Sequence, residues 1–295
     1  MSEHDGTDPY VIDWADWTER LSASARDEAG WYRQVAKELV RPGDGLAIDV
    51  GCGGGGMAVA LAEALPDEAR VLAIDSSEEL LAEARANLTA AGIPADRAQL
   101  GRADLEDGPD ALRAVVPGAA DLVWESAAVH HVADQQAAVD ALAGLLAPGG
   151  RLALAEDGLS RRCLPWDIGV GEPGLEVRLE AANDVWFRRM RRALPGWVPM
   201  PYGWTAALDR AGLVEVGTRT WLLEKPAPLP DEDRTSIVDR LGRWVERLTE
   251  AEVLPEADLR AWERLLDPDA EEWLGHRDDL YSLQARSVHV GHAPG

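Results

Sequence analysis

The sequence is short of cysteine and of long apolar runs, and each shortage excludes a class of protein. Its two cysteines, Cys52 and Cys163, are too few for a framework of disulfide bonds, which fits a reducing compartment. Nowhere do about 18 apolar residues run together, as a membrane span requires, and the opening stretch MSEHDGTDPY is acidic and polar. We therefore expect a cytoplasmic protein that is neither exported nor inserted in a membrane.

Basic residues are also scarce. Lysine and arginine together number 29, against 53 aspartates and glutamates, so the formal charge is −24 at pH 7. A field of that sign repels phosphate backbones and anionic lipid surfaces. The composition therefore argues against nucleic acid and membranes as partners, and it leaves the oligomeric state open between monomer and homodimer.

From residue 46 onward, short apolar runs alternate with stretches of helical periodicity. Runs of about five apolar residues separated by helices are typical of a parallel sheet built from right-handed crossovers. The predicted strands are LAIDV, VLAID, AQLGRAD, DLVWE, RLALAE, VGTRTWLLE and YSLQARSVHVGH. Ser76 and Glu79 predict a capping box at the start of the helix that follows the second strand.

Three regions outside this alternation are predicted to be helical, and the last of them contains two amphipathic periodicities. Most of the twelve tryptophans fall in these regions, where they supply either core packing or a pocket for a flat acceptor. The predicted organisation is an N-terminal helical lid at 1–44, core segments at 45–159, 206–229 and 278–295, and cap insertions at 160–205 and 230–277.

An apolar run, LAIDV, breaks into the glycine turn GCGGGG. Gly51, Gly53 and Gly56 satisfy the pattern G-x-G-x-x-G, and Asp75 follows at the distance expected of an acid that binds a ribose. A P-loop is excluded because Met57 stands where the phosphate-binding lysine is needed. The turn is therefore compatible with a nucleoside cofactor.

Asp49, two residues before the first glycine, decides between cofactors. A carboxylate there would face a pyrophosphate at close range, and such like charges disfavour each other by on the order of 1 kcal/mol or more. S-adenosylmethionine (SAM) has no phosphate and carries an α-ammonium and a sulfonium, which the acid favours. The turn therefore predicts SAM as cofactor, and an NAD(P)-dependent oxidoreductase is the less favoured alternative.

The chain resembles the class I SAM-dependent methyltransferases, and among them the small-molecule and natural-product O-methyltransferases. The resemblance rests on five motifs in order, LAIDVGCGGGG, VLAID, GRADLED, DLVWESAAVHHV and LLAPGGRLALAED. It implies an α/β fold with a seven-stranded Rossmann-like sheet, an antiparallel last strand and a helical cap. It also implies SAM as cofactor and S-adenosylhomocysteine as product.

The same resemblance implies the residues that bind SAM. Asp49 and the glycines line the methionyl part, Asp75 accepts both ribose hydroxyls, and Asp104 with Leu105 reads the adenine amino group. Glu125, at the end of the fourth strand, contacts the cofactor's amino group or an acceptor amine. The full predicted set is Asp49, Gly51, Cys52, Gly53, Asp75, Ser76, Asp104, Leu105 and Glu125. No metal ion is expected.

Methyl transfer to a hydroxyl also requires removal of a proton, and candidate bases should follow the fourth and fifth strands. The motif VHHV supplies His130 and His131, and Glu156 ends the fifth strand. In O-methyltransferases with a similar motif, a histidine and this acid form the catalytic pair. The resemblance therefore implies His130 with Glu156, and His131 is the alternative base.

The sequence thus predicts a SAM-dependent methyltransferase that acts on a hydroxyl oxygen of a small molecule, such as a secondary metabolite. The alternatives are transfer to nitrogen or carboxylate, on a small molecule or a modified peptide, and an inactive SAM-binding protein. The three added regions are expected to cover the methyl group and select the acceptor, with residues 1–44 as the moving part.

Overall fold

The computed structural model describes residues 27–156 and 158–295, so the larger part of the predicted N-terminal lid lies outside the described residues. The described chain forms two compact units. The sheet unit comprises residues 27–156, 195–220 and 286–295, and the helical unit comprises residues 158–194 and 221–285. No helix in these described residues is long and apolar enough to cross a membrane.

Eight strands are present in the described residues. They are β1 (Leu46–Val50), β2 (Arg70–Asp75), β3 (Ala98–Arg102), β4 (Ala120–Ser126), β5 (Leu146–Ala155), β6 (Gly158–Arg162), β7 (Val214–Lys225) and β8 (Ser282–His292). The α-helices are α1 (Ala29–Leu39), α2 (Gly56–Ala64), α3 (Glu78–Ala90), α4 (Pro109–Val115), α5 (Gln135–Ala143), α6 (Leu175–Ala193), α7 (Trp204–Arg210), α8 (Asp231–Glu250) and α9 (Glu256–Leu266). Short 3₁₀ turns span Leu105–Asp107, Val129–His131 and Leu274–His276.

The sheet confirms the predicted α/β class. Strands β1 to β5 are parallel in the order β3-β2-β1-β4-β5, and β8 lies antiparallel beside β5 with Leu154 opposite His289. The predicted strands correspond to β1 to β5, β7 and β8. The additional strand, β6, was not predicted, because its sequence GLSRR lacks a periodic apolar pattern and its residues stay exposed or half-buried. Both β6 and β7 pair with β8.

The central strands are apolar on both faces because helices cover both sides of a parallel sheet. Ile48, Leu72, Val123 and Leu152 come from four adjacent strands and belong to one buried core. Since these strands run in the same direction, their carboxyl ends meet at one edge of the sheet. The residues that follow β1, β2, β4 and β5 are thereby brought together at that edge.

The helical unit has a separate core. Leu179 of α6, Leu241 of α8 and Trp262 of α9 are buried together, which confirms the two amphipathic helices predicted after the sixth strand. The tryptophans divide between two roles. Trp186 and Trp262 are core residues, whereas Trp166 is 72% exposed.

The start of α3 differs from the prediction by one residue. Ser77, not Ser76, is the N-cap: its hydroxyl accepts from the backbone N–H of Leu80 at 3.2 Å and donates to Glu79 at 2.9 Å. The shift has a local cause, because a carboxylate oxygen of Asp75 accepts from the N–H of Ser77 at 3.0 Å. This contact keeps Ser77 extended and delays the helix to Glu78.

Candidate active site

The glycine turn after β1 has a backbone that only glycine adopts without strain. Gly51 and Gly53 have φ values of +69° and +51°. A Cβ placed on Gly51 would lie 2.7 Å from the Cβ of Ala128, in the loop after β4. The turn therefore packs directly against that loop. The N–H of Cys52 donates to the carbonyl of Ile74 at 2.9 Å, which joins the turn to β2.

Asp75, at the end of β2, holds the glycine turn and the start of α3. One oxygen of its carboxylate accepts from the N–H of Gly53 at 2.9 Å, and the other accepts from the N–H of Ser77 at 3.0 Å. Burial raises the pKa of this carboxyl, and three backbone donors, the N–H groups of Ser77, Gly53 and Ser76, oppose the rise. A carboxylate has about four lone-pair sites, so Asp75 can still accept from a ligand.

Asp49 is buried at the end of β1 with one oxygen unsatisfied. The backbone N–H of Ala58, in the first turn of α2, donates to its carboxylate. Its Oδ2 has no hydrogen-bond partner among the described residues. Burial raises the pKa of Asp49 to about 7, and the negative charge of Asp75 adds to the rise. A cation or a hydrogen-bond donor beside Oδ2 would therefore find an acceptor that nothing in the described chain occupies.

The remaining predicted cofactor residues lie on the same side of the sheet, after β1, β2 and β3. Asp104 caps the 3₁₀ turn that begins at Leu105, because its Oδ1 accepts from the N–H of Glu106 at 2.9 Å. The side chain of Leu105 packs against the core of the sheet unit. Cys52 is a free, buried cysteine, and burial raises the pKa of its thiol.

His130 and Glu156 are in direct contact. Nδ1 of His130 lies 2.7 Å from Oε2 of Glu156, and the backbone N–H of His130 donates to Oε1 at 3.2 Å. Burial alone would raise the pKa of Glu156, but the charge and hydrogen bonds of His130 outweigh it, and the pKa is lowered. His131 stacks on His130 with ring centroids 4.0 Å apart. The structure thus brings His130, not His131, to the acid after β5.

Glu125, near the end of β4, is buried beneath the loop that follows this strand. Its side chain is completely buried, and its Oε1 accepts from the N–H groups of Ala128 at 2.6 Å and Val129 at 2.9 Å. The loop after β4 folds back over this side chain and takes up one of its carboxylate oxygens, and the contact with SAM predicted for Glu125 stays a prediction.

Three residues near Asp49 and Glu156 were not singled out from the sequence. Arg286 of β8 donates from Nη2 to both carboxylate oxygens of Glu28, at 2.7 and 2.8 Å, and its charge acts on Glu156. Tyr32 of α1 lies close enough to Asp49 for their charges to interact, and burial raises the pKa of its hydroxyl. No local pattern marks these residues, since Arg286 reaches the site only through the pairing of β8 with β5.

The residues present fit the methionyl and ribose groups of SAM. The unsatisfied Oδ2 of Asp49 suits an α-ammonium donor, and Gly51 and Gly53 add no side-chain atoms to the turn that follows it. The carboxylate of Asp75 suits a pair of hydroxyl donors. The same set is a poor match for a pyrophosphate, which would be repelled by both acids.

Comparisons with known proteins agree with this geometry. Residues 48–152 match the sequence model of a family described as "Methyltransferase domain". Trans-aconitate 2-methyltransferase of Methylobacterium radiotolerans is 31% identical over 179 residues, which cover 56% of this chain and 63% of that protein. Ubiquinone biosynthesis O-methyltransferase of Xylella fastidiosa is 42% identical over 106 residues, which cover 36% of this chain and 39% of that protein. The chain thus spans less than two thirds of the length of these relatives.

Solved structures share the fold. An O-methyltransferase family protein from Burkholderia thailandensis aligns with a TM-score of 0.52 at 15% identity, over 97% of this chain and 62% of that one. A structure from Bacillus halodurans aligns with a TM-score of 0.52 at 18% identity, over 91% of this chain and 100% of that one. The comparisons confirm a methyltransferase domain at residues 48–152 and the predicted Rossmann-like fold.

Proposed function

We propose that the protein transfers the methyl group of SAM to a hydroxyl oxygen of a small molecule. The contact between His130 Nδ1 and Glu156 Oε2, 2.7 Å at the carboxyl edge of the sheet, carries the proposal. A histidine held by a buried carboxylate is a general base that works near neutral pH. The net charge of −24 supports a small acceptor over nucleic acid. The resemblance to natural-product O-methyltransferases supports a secondary metabolite.

SAM, when bound, supplies an electrophilic methyl group on a sulfonium. Asp49 would accept a hydrogen bond from the α-ammonium through its unsatisfied Oδ2, next to the glycine turn. Asp75 would accept from the ribose through the lone-pair capacity that the N–H groups of Gly53, Ser76 and Ser77 leave available. The adenine would lie by Asp104 and Leu105. The residues proposed to complete the binding surface are Gly51, Cys52 and Ser76.

The contacts of His130 determine its part in the reaction. Glu156 is ionised and can only accept a hydrogen bond, so Nδ1 of His130 carries the hydrogen and Nε2 carries the lone pair. Nε2 would take the proton of the acceptor hydroxyl, whose oxygen would receive the methyl group that SAM supplies. Glu156 stabilises the resulting imidazolium, which then loses its proton to water. The products are the methylated acceptor, S-adenosylhomocysteine and one proton.

Labelled SAM offered with a panel of phenols, sugars, carboxylic acids and amines tests the proposal. With a hydroxyl acceptor at neutral pH, His130→Ala should lower kcat by about 10²–10⁴-fold and leave the Kd of SAM within a factor of about 2, because the base acts only in the transition state. His131→Ala is the matched control, since it removes the neighbouring ring, tilted by 45° against that of His130, and leaves the contact between His130 Nδ1 and Glu156 in place. Normal turnover of His130→Ala with a hydroxyl acceptor would contradict the proposal.

Carboxylate methylation is the second candidate. It is favoured by the relative from Methylobacterium radiotolerans, whose name gives trans-aconitate as the acceptor. An ionised carboxylate has no proton to remove, so His130→Ala would then retain activity. Methyl transfer to acids in the panel together with an insensitive His130→Ala variant would therefore select this candidate over the first.

A further inference from the structure

Glu125 and Glu156 bring two carboxyl groups into contact beneath the candidate base. Glu125 is the last residue but one of β4 and lies opposite Leu154 of β5, and Glu156 directly follows Ala155 at the end of β5. Oε1 of Glu125 is satisfied by two backbone N–H groups, but Oε2 is buried without any donor among the described residues. The carboxyl groups of Glu125 and Glu156 accept from the consecutive backbone N–H groups of Val129 and His130, which places the two side chains within hydrogen-bonding reach of each other. Two carboxylate oxygens in contact form a hydrogen bond only if one of them carries a proton.

The surroundings decide which of the two acids holds the proton. Glu156 accepts from Nδ1 and from the backbone N–H of His130, and both contacts favour its ionised form. Glu125 has no exposed surface, and a second negative charge beside Glu156 would be repelled at close range. Burial accordingly raises the pKa of Glu125 well above its usual range, with the charge of Glu156 as the next cause. Arg286 and His289 also face Glu156, the latter with Nε2 3.2 Å from its carbonyl oxygen.

We propose that Glu125 is a positioning residue whose carboxylic acid donates a hydrogen bond to the carboxylate of Glu156. The proposal rests on the proposed function of His130 as the base. One side chain then holds both halves of the catalytic pair. Its Oε1 fixes the N–H groups of the two residues before His130, and its Oε2–H fixes the carboxylate that orients the imidazole. No proton leaves Glu125 during the reaction.

Substitutions that keep or remove the two contacts separate positioning from packing. Glu125→Gln retains an acceptor for the two amides and a donor for Glu156, whereas Glu125→Leu retains neither. We expect Glu125→Leu to lower kcat by about 100-fold and Glu125→Gln by less than about 10-fold, because only the first leaves Glu156 and the amides unpaired. The acid limb of the pH profile of kcat should stay in place in Glu125→Gln, since a neutral group replaces a neutral group.

Two results would overturn the proposal. An acid limb displaced toward lower pH in Glu125→Gln would show that Glu125 is ionised in the wild type. Equal losses of kcat in Glu125→Gln and Glu125→Leu would show that the hydrogen bonds of Glu125 do not matter.

A control variant and a spectroscopic measurement accompany this test. Glu176→Leu is the control for stability, because Glu176 is another buried glutamate that accepts from backbone N–H groups, those of Cys163 and Leu164. Infrared difference spectroscopy of the wild type against Glu125→Gln at pH 7 detects the carboxylic acid without any acceptor. The wild type should show a protonated-carboxyl band that the variant lacks, and its absence overturns the proposal even if Glu125→Leu does not fold. If the wild type shows this band but its turnover does not depend on His130, the result counts against the proposed function alone.

Discussion

The backbone of Gly51 lies against the side chain of Ala128, so closely that a Cβ on Gly51 would be 2.7 Å from the Cβ of Ala128. Gly51 belongs to the glycine turn after β1, and Ala128 belongs to the loop after β4 that leads to His130. The proposed cofactor site and the proposed base are therefore in contact at this point. A change in the turn will move the loop.

Gly51→Ala should destabilise the protein by more than about 2 kcal/mol, because a residue with a Cβ loses about 1–2 kcal/mol at positive φ and the clash with Ala128 adds to that loss. SAM affinity should fall as well. Urea denaturation and titration calorimetry measure the two effects. Gly92→Ala is the control: Gly92 has a φ of +75° with no atom within 4 Å of the added Cβ, so it should show the backbone cost alone. Equal losses in the two variants would contradict the packing argument.

Asp75→Ala should weaken SAM binding by about 1.5–3 kcal/mol, because two ribose hydroxyls lose a charged acceptor. The variant should also melt at a lower temperature, since Gly53 and Ser77 lose the oxygens that hold them. Asp134→Ala separates these effects. Asp134 caps α5 by accepting from the N–H of Ala137, so its loss should lower stability without changing affinity. Unchanged SAM affinity in Asp75→Ala would remove this residue from the proposed site.

The affinity for SAM should increase as the pH rises through about 7. The pKa of Asp49 is raised to about 7, and only its ionised form attracts the α-ammonium, so binding releases a proton and weakens by up to tenfold per pH unit below 7. Calorimetry in buffers of different ionisation enthalpy measures this release. Methylthioadenosine, which has no ammonium group, should bind without it, and Asp49→Asn should abolish the pH dependence. A proton release that persists in Asp49→Asn would assign the effect to another group.

Arg286→Met should cost about 3 kcal/mol of stability, the lower end of the range for breaking a buried ion pair, because the guanidinium is a quarter exposed while Glu28 is buried. Glu28 would be left without the cation that neutralises it. Arg33→Met is the matched control, since Arg33 pairs with Glu63 at the surface and such pairs contribute less than about 1 kcal/mol. Chemical denaturation compares the free energies of unfolding of the two variants. A similar loss in both would show that the pair of Arg286 and Glu28 stabilises the protein no more than a surface pair does.

The sequence predicted most of the sheet because the physical cause of its pattern is local. A strand covered on both faces must be apolar throughout, and LAIDV was recognised as the strand that the structure places at Leu46–Val50. The same reasoning placed the acids after the strands, because parallel strands end at one edge. It failed for β6, whose exposed sequence GLSRR carries no such pattern and is held by pairing with β8.

The environment of a charged residue was harder to predict than its position. From the sequence, Glu125 is predicted to be an acid at the end of a strand where a ligand could reach it. Only the fold of the following loop shows that its side chain is buried and accepts from two backbone N–H groups of that loop. No pattern in the sequence marks Arg286 as a residue near the site. Its place is determined by the register of β8 on β5, which depends on the whole chain.

The long-range contacts of β8 also bear on how the protein folds. Arg286 bonds to a residue 258 positions earlier, and His289 reaches the carbonyl of Glu156 across 133 positions. Contacts between such distant residues require the closure of long loops, so they form after the local crossovers of β1 to β5. The contacts of Arg286 and His289 are therefore completed late. We expect a refolding chain to acquire its parallel strands before Arg286 reaches Glu28 and His289 reaches Glu156.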